Sequence, residues 1–361
     1  MNSLAIYIHI PYCRTLCPYC DFVREPVAGG VPGAYIRALC REIDGFDGPA
    51  AAASVFFGGG TPSLLEEHSL AAILGALHRR FRLPGAEVTL EANPDDVTPG
   101  RVGAWARLGV NRVSLGVQHF DDAALRYLGR RHDAGTALRA CGRVAERFGN
   151  WSLDLIYGLP GSNAWAATLA RALELAPPHI ACYALTFEPG TPFQTRAQEA
   201  PEDDRVLELY QAAEQALAGY AHYEVSNFAR PGFECRHNLV YWRNESYAGF
   251  GTGAYQFMDG VRARNHREMK RYLSEPGGKE EAIPLTPREA RVETLIQHFR
   301  LREGIAADYY KARFGTDLCT DFGPKLDALA ARGLIETADT FFRPTARGFY
   351  LNNEIGLALL D

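Results

Sequence analysis

Three cysteines, Cys13, Cys17 and Cys20, fall within eight residues in the spacing C-x3-C-x2-C. The chain holds eight cysteines, and the other five (Cys40, Cys141, Cys182, Cys235 and Cys319) stand singly. Thiolates are soft ligands suited to zinc or to an iron–sulfur cluster. A structural zinc site wants four ligands, usually from paired C-x2-C units, and only one such unit is present. His9, four residues before Cys13, could supply a fourth ligand, so zinc stays open here. Three cysteines fit better with a [4Fe-4S] cluster that leaves one iron without a protein ligand and able to bind a small molecule. The isolated cysteines read as buried apolar residues.

The elements that must position this loop follow from periodicity. Short β-type runs recur at Leu4–Ile8, Ser54–Phe57, Glu87–Leu90, Arg112–Leu115, Ser152–Ile156 and Ile180–Leu185. Between them lie amphipathic stretches at Ala34–Ile43, Glu66–Phe81, Pro99–Leu108, Thr136–Phe148 and Ala164–Leu175. Ile36, Leu39, Cys40 and Ile43 fall on one helical face. Strand–helix alternation of this kind implies an α/β fold with a parallel sheet and outer helices, closing into a barrel or partial barrel. Polar or glycine-rich segments follow each strand: His9 to Cys13, Gly58 to Pro62, Glu91 to Pro94, Gly116 to Gln118, Tyr157 to Gly161 and Thr186 to Gly190. In β/α barrels that end of the strands is where sites are built.

After about residue 200 the pattern changes. Asp203–Leu217 reads as a helix and Tyr223–Phe228 as a further strand. Cys235–Phe257 is rich in aromatics and glycine without a clean period, and Ser274–Glu281 reads as a linker. From Pro287 the chain is mainly helical, with a helix at Gly323–Arg332 and a small hairpin at Leu334–Pro344, in the manner of a winged helix. The expected organisation is a core barrel over 1–228, a connecting region over 229–286 and a C-terminal helical domain over 287–361.

Composition narrows the function classes. With 361 residues, 47% hydrophobic and 22% charged, the chain has the make-up of a globular protein and not of a disordered or coiled-coil one. Thirty-eight basic against 43 acidic residues, a net charge of −5, argue against nucleic-acid binding through bulk charge. The N-terminal segment lacks the basic and long apolar regions of a signal peptide. The uncharged stretch Gly48–Leu65 is broken by Pro49, Gly58–Gly60 and Pro62, which makes it a poor membrane helix. A cytoplasmic, reducing location is expected, where clustered cysteines mean metal or redox chemistry.

The cysteine motif after a first strand, with Tyr19 just before the third cysteine, resembles that of the radical S-adenosylmethionine (SAM) enzymes. The resemblance narrows through Tyr7-Ile8-His9-Ile10-Pro11-Tyr12-Cys13, Cys20-Asp21-Phe22, Phe56 to Ser63, Glu91-Ala92-Asn93-Pro94 and Ser114 to Gln118. It continues through Leu128-Gly129-Arg130, Asp154 to Gly161 and Tyr183 to Thr186. Together these resemble the oxygen-independent coproporphyrinogen oxidase-like family. The run Cys235 to Trp242 matches the HNxxYW motif of that family's heme-chaperone branch.

The resemblance implies a partial (β/α)6 TIM-like barrel with a smaller, mainly helical C-terminal domain. It implies a [4Fe-4S] cluster on Cys13, Cys17 and Cys20, and SAM held by Tyr7, Gly59, Gly60, Thr61, Glu91, Gln118, Arg130 and Asp154. The residue types suit those roles. Glycines admit a close backbone approach. Carboxylates bind the cofactor ammonium or ribose hydroxyls, and Gln118 can hydrogen-bond them. Arg130 can grip a carboxylate in bidentate fashion. Tyr19 can pack on adenine. His237 is a candidate heme ligand, with Tyr241 and Trp242 covering a porphyrin face. Cys235 is the one isolated cysteine to test for heme attachment.

Three features favour the chaperone branch over the dehydrogenase. Only twelve residues precede Cys13, where the dehydrogenase has a longer extension. Phe22 stands where it has a fourth cysteine, and the HNxxYW run is present. One departure runs the other way: Tyr255-Gln256 follows Gly251 to Ala254 where the family pattern has His-Ser. The expected function is heme binding and transfer to acceptors such as respiratory enzymes, served by an electron donor. Any membrane association would be peripheral, through those acceptors. The alternatives are a radical enzyme acting on a tetrapyrrole and a zinc-stabilised binding protein. Cys17→Ser should abolish the cluster, because two thiolates do not hold it; a normal cluster absorption spectrum in that variant contradicts the assignment.

Overall fold

The computed structural model describes residues 4–338 and 340–360. Its spine is six parallel strands that pair in chain order: β1 (Leu4–Ile10), β2 (Ala52–Gly59), β3 (Glu87–Ala92), β4 (Arg112–Gln118), β5 (Trp151–Tyr157) and β6 (His179–Ala184). One face of these strands is apolar and packs under the helices, while the other turns Glu91, Arg112, Ser114, Ser152 and Asp154 toward the interior; β1 buries six of its seven residues. The helices Gly33–Asp44, Glu67–Arg80, Pro99–Arg107, Ala134–Arg147 and Trp165–Leu175 alternate with them. The first of these turns Tyr35, Ile36, Leu39 and Ile43 into the core, and Cys40 is half-buried.

The sheet grows beyond these six on both sides. Tyr247–Phe250 pairs parallel with the outer edge of β1, in register from Ala5 with Tyr247 to Ile8 with Phe250. Tyr255–Met258, Val261–Asn265 and Lys279–Pro284 then extend it antiparallel. On the other side Asn227–Ala229 pairs antiparallel with β6, and Ala221–Glu224 forms the edge. The twelve-stranded sheet does not close, so the barrel is partial.

Two local expectations are corrected. The second half of Ser274–Glu281 is not a linker, because Lys279–Pro284 is the sheet's edge strand. Its run of Lys279, Glu280 and Glu281 hides the strand signal, as charged residues on protected edges do. The single strand expected at Tyr223–Phe228 is a hairpin, in which Asn227 donates to the Glu224 carboxylate across the turn.

The C-terminal unit has its own core of Leu295, Phe299, Tyr310, Leu326 and Ile355. Its first helix, Pro287–His298, starts at a capping box between Thr286 and Glu289. Helices Ala307–Phe314 and Leu318–Ala331 and the hairpin Ile335–Ala338 with Phe341–Pro344 complete a winged-helix-like arrangement. This unit is tied to the barrel by Val225 N–H donating to Arg300 O at 3.1 Å and Arg302 N–H to Tyr223 O at 3.0 Å. Arg302 and His222 both meet Glu214, at 2.9 Å each. No helix among the described residues is long and apolar enough to cross a membrane.

One buried carboxylate fastens the loop 251–254 to the barrel. Glu42, 7% exposed, accepts from Gly251 N–H at 2.8 Å, Asn265 Nδ2 at 2.6 Å and Tyr272 Oη at 2.7 Å. Glu42→Leu strands these donors and should cost about 3 kcal/mol, seen as a Tm lower by roughly 5 °C. An unchanged Tm would show that this carboxylate does not hold the loop.

Candidate functional site

The cysteine loop leaves the C-terminal end of β1. A short parallel ladder between Tyr12–Cys13 and Glu25–Pro26 closes its base, with Glu25 N–H donating to Pro11 O at 2.7 Å and Val27 N–H to Cys13 O at 2.9 Å. Within the loop Cys20 N–H donates to Cys17 O at 3.2 Å. All three thiols are free of disulfides. Thr61 Oγ1 donates to Cys13 Sγ at 3.4 Å, and Arg130 Nη1 to Cys17 Sγ at 3.4 Å. Burial pushes the Cys13 and Cys20 thiols up from their ordinary range, and Arg24 pulls both back. Among the described residues no three His, Cys, Asp or Glu side chains converge on a single metal ion. Three thiols around a cavity rim suit a cluster in which each binds its own iron, and they do not suit one zinc. His9 is committed elsewhere: Nε2 meets Val23 O at 2.8 Å and Nδ1 meets the Tyr7 hydroxyl at 3.1 Å.

Gly59, which ends β2, and Gly60, which follows it, are required by packing. A Cβ on Gly60 would sit 2.7 Å from the Pro11 carbonyl carbon, and one on Gly59 would sit 2.5 Å from the His9 ring. Gly59 also has φ +106°, which favours glycine. The bare backbone lets Gly59 N–H reach Glu91 Oε2 at 3.2 Å and Gly60 N–H reach Ile10 O at 2.8 Å. Thr61, expected at the cofactor, serves the cysteine loop through Cys13.

All thirteen residues expected from the sequence line one cavity of about 840 Å3 inside the partial barrel. Arg130 is held by Asn93 Oδ1 and by Gly116 O at 2.9 Å, while its Nε is buried with no partner. Asp154 accepts from Ser114 Oγ at 3.0 Å and Ser152 Oγ at 3.2 Å. Gln118 ends β4 at φ +66°, a left-handed conformation that turns the chain at the cavity wall. Tyr19 packs beside Leu128, Ile156 and Leu159 with its ring 6.3 Å from Phe193. Glu91 is half-buried and faces the cavity, and burial together with the nearby Asp154 charge pushes it up to about 8. The wall therefore fits a zwitterionic ligand: acidic groups for an ammonium, and Arg24 Nη1 and Arg130 Nε as buried donors awaiting an anion.

The HNxxYW segment lies at the opposite end. It forms the helix Arg236–Trp242, which plugs the N-terminal mouth of the strands. His237 is 1% exposed, with Nδ1 3.0 Å from Ser54 Oγ, Nε2 2.8 Å from the Tyr241 hydroxyl, and its backbone N–H donating to Glu87 at 3.3 Å. Its ring stacks on Phe56 at 5.0 Å, and burial pushes it down to about 3. His237, expected as a heme ligand, thus has both ring nitrogens hydrogen-bonded within the plug. Cys235 is fully buried, with Sγ 3.7 Å from Glu87 and its thiol pushed up to about 12, and it is not placed for covalent attachment. Tyr255 does not line the cavity and instead lies under Arg264, 5.3 Å away.

Sequence reasoning missed several lining residues. Arg112 opens β4 and is 1% exposed on the cavity floor. Its only signal was a charge at the head of an apolar run. Arg300, Phe349 and Tyr350 come from the C-terminal unit, and only the fold brings them to the cavity.

Comparison with known proteins agrees with this geometry. Residues 7–173 match the Radical SAM superfamily and residues 285–351 the HemN C-terminal domain. The chain is 36% identical to the heme chaperone HemW of Escherichia coli K12 over 100% of this chain and 99% of that one. It is 40% identical to HemW of Synechocystis over 83% and 79%. It is 36% identical to the mitochondrial radical S-adenosyl methionine domain-containing protein 1 of Bos taurus over 85% and 75%. In fold it matches the radical SAM enzyme coproporphyrinogen III oxidase (HemN) of Escherichia coli with a TM-score of 0.84 at 23% identity, over 99% of this chain and 90% of that one.

Glu91 yields a signed prediction. Its carboxyl is ordinarily ionised above about 4.5 and here titrates near 8, so folding holds its proton and stability falls as pH rises between these values. Glu91→Gln should therefore raise the stability of the cofactor-free protein at pH 8 by at least ~1 kcal/mol, with the gain vanishing toward pH 4.5. The same variant should bind SAM more weakly. Denaturant unfolding at both pH values checks the sign, and a loss of stability at pH 8 contradicts the buried-acid reading.

Proposed function

As the chain belongs to the HemW family of radical SAM proteins, we propose that it is a heme chaperone, binding heme and a SAM-ligated [4Fe-4S] cluster and passing heme to acceptor proteins. One observation carries the reading: the likeness to proteins named heme chaperones runs the full length of the chain. Cys13, Cys17 and Cys20 would hold the cluster. Glu91, Gln118, Arg130 and Asp154, with Tyr7, Tyr19 and the Gly59–Gly60 backbone, would hold SAM. The bound cluster supplies an electron able to cleave the cofactor's sulfonium bond.

The chain's own residues do the rest. Arg130 fixes Cys17 and meets the cofactor carboxylate with its spare nitrogen. Glu91 and Asp154 take the ammonium and ribose. Thr61 steadies Cys13. The cavity volume falls in the range of sites that enclose one large or two smaller ligands. Phe22, 59% exposed at the cavity, occupies the place of the dehydrogenase's fourth cysteine. Heme acceptors would be respiratory enzymes met on the cytoplasmic side of a membrane, and an electron donor would reduce the cluster.

A second reading, radical chemistry on a tetrapyrrole, draws support from the SAM wall and the barrel interior being one continuous cavity. Formation of 5′-deoxyadenosine with a modified tetrapyrrole would favour it.

Titration of the anaerobically reconstituted protein with heme should show one heme per chain, and absence of binding would sink the chaperone reading. His237→Ala should lower thermal stability and leave that stoichiometry unchanged. Loss of heme with stability intact would return His237 to the role of iron ligand.

A further inference from the structure

Four arginines line the cavity, and each has a nitrogen buried without a hydrogen-bond partner: Arg24 Nη1, Arg112 Nε, Arg130 Nε and Arg300 Nε. None of them forms a salt bridge among the described residues. A buried guanidinium cannot shed its proton, so an unpaired one is costly unless a ligand brings the anion. Arg24 and Arg130 sit beside the cysteines and are accounted for by the cluster and SAM. Arg112 and Arg300 are not.

Arg112 projects from the start of β4, at the opposite end of the strands from the cysteine loop. Arg300 comes from the C-terminal unit, with its guanidinium 5.1 Å above the Trp242 ring. The carboxylates near them, Asp154 and Glu87 beside Arg112 and Glu224 beside Arg300, accept hydrogen bonds from other donors and bond neither guanidinium. Asp154 takes two serine hydroxyls, Glu87 takes His237 N–H and Cys235, and Glu224 takes Asn227 and Ser226 N–H. Aromatic residues share the cavity wall with the two cations. Tyr183 stands 42% exposed although it faces the cavity, so its ring is open to a flat apolar ligand. Two buried cations on different elements and an exposed aromatic face in one cavity suit a planar macrocycle that carries two carboxylates.

We propose that Arg112 and Arg300 anchor the two propionates of heme inside the barrel, one from the sheet and one from the C-terminal unit, an inference that rests on the heme-binding reading above. The C-terminal unit is then part of the binding site, and its strand-like contacts through Val225 and Tyr223 set the span between the anchors.

The test compares heme with iron protoporphyrin IX dimethyl ester, in which both propionates are esterified. Each is titrated into the anaerobically reconstituted full chain. Wild type should bind heme at least roughly tenfold tighter than the diester, as loss of charge-assisted hydrogen bonds predicts. Arg300→Met should weaken heme several-fold and leave the diester unchanged, and Arg112→Met should do the same where it folds. Equal affinity of wild type for both compounds overturns the anchors while the heme reading stands. Equal weakening of both compounds by Arg300→Met likewise overturns them. Binding of neither compound by wild type overturns the heme reading itself.

Discussion

The site depends on how closely the C-terminal ends of β1 and β2 approach. His9 pairs with Gly58 and Ile10 with Gly59, and Gly60 N–H closes on Ile10 O at 2.8 Å. No side chain fits at Gly59 or Gly60, because His9 and the Pro11 backbone occupy the space. The cysteine loop starts from this junction. So does Thr61, which reaches Cys13, and so does the Gly59 N–H, which aims Glu91. One steric constraint therefore fixes the thiols and the first carboxylate together, and it explains Gly59 and Gly60 better than cofactor access alone.

A second constraint is buried charge. The cavity contains arginines, carboxylates and thiols that satisfy one another only in part. Arg130 is pinned by Cys17, Asn93 and Gly116, yet keeps a spare nitrogen. Glu91 is pushed up to about 8 by burial and by the Asp154 charge. Such arrangements are unstable alone and gain when complementary charges arrive, which is the ordinary trade between stability and function. At the far end both ring nitrogens of His237 are bonded within the plug. That contrast separates the groups that wait for ligand from the groups that seal the barrel.

Much of this was legible in the sequence. The six strands and the helices between them follow from periodicity, because short β-type runs with an apolar outer face alternate with amphipathic helical stretches. The thirteen expected residues meet in one cavity because most stand on the inner face or at the ends of the barrel strands, or on the cysteine loop. What was not legible depends on neighbours distant in sequence. His237 reads as a possible ligand until Ser54 and Tyr241 are seen to use both nitrogens. Arg112 reads as a surface strand start until the barrel closes over it. Arg300 lies about 190 residues further along and enters only when the C-terminal unit docks. Lys279–Pro284 carries the charges of an edge strand, which look like those of a linker.

The central claim is that cluster and heme occupy two ends of one cavity inside the partial barrel. Pulsed EPR on the reconstituted protein, with the cluster reduced and copper(II) protoporphyrin IX in place of heme as a spin centre that the reductant leaves unchanged, measures the separation of the two spins. The strands that frame the cavity have seven residues or so, and at ~3.3 Å per residue the two centres should lie within roughly 20 Å of each other. A separation well beyond the length of a barrel strand would place heme outside the cavity and contradict the account.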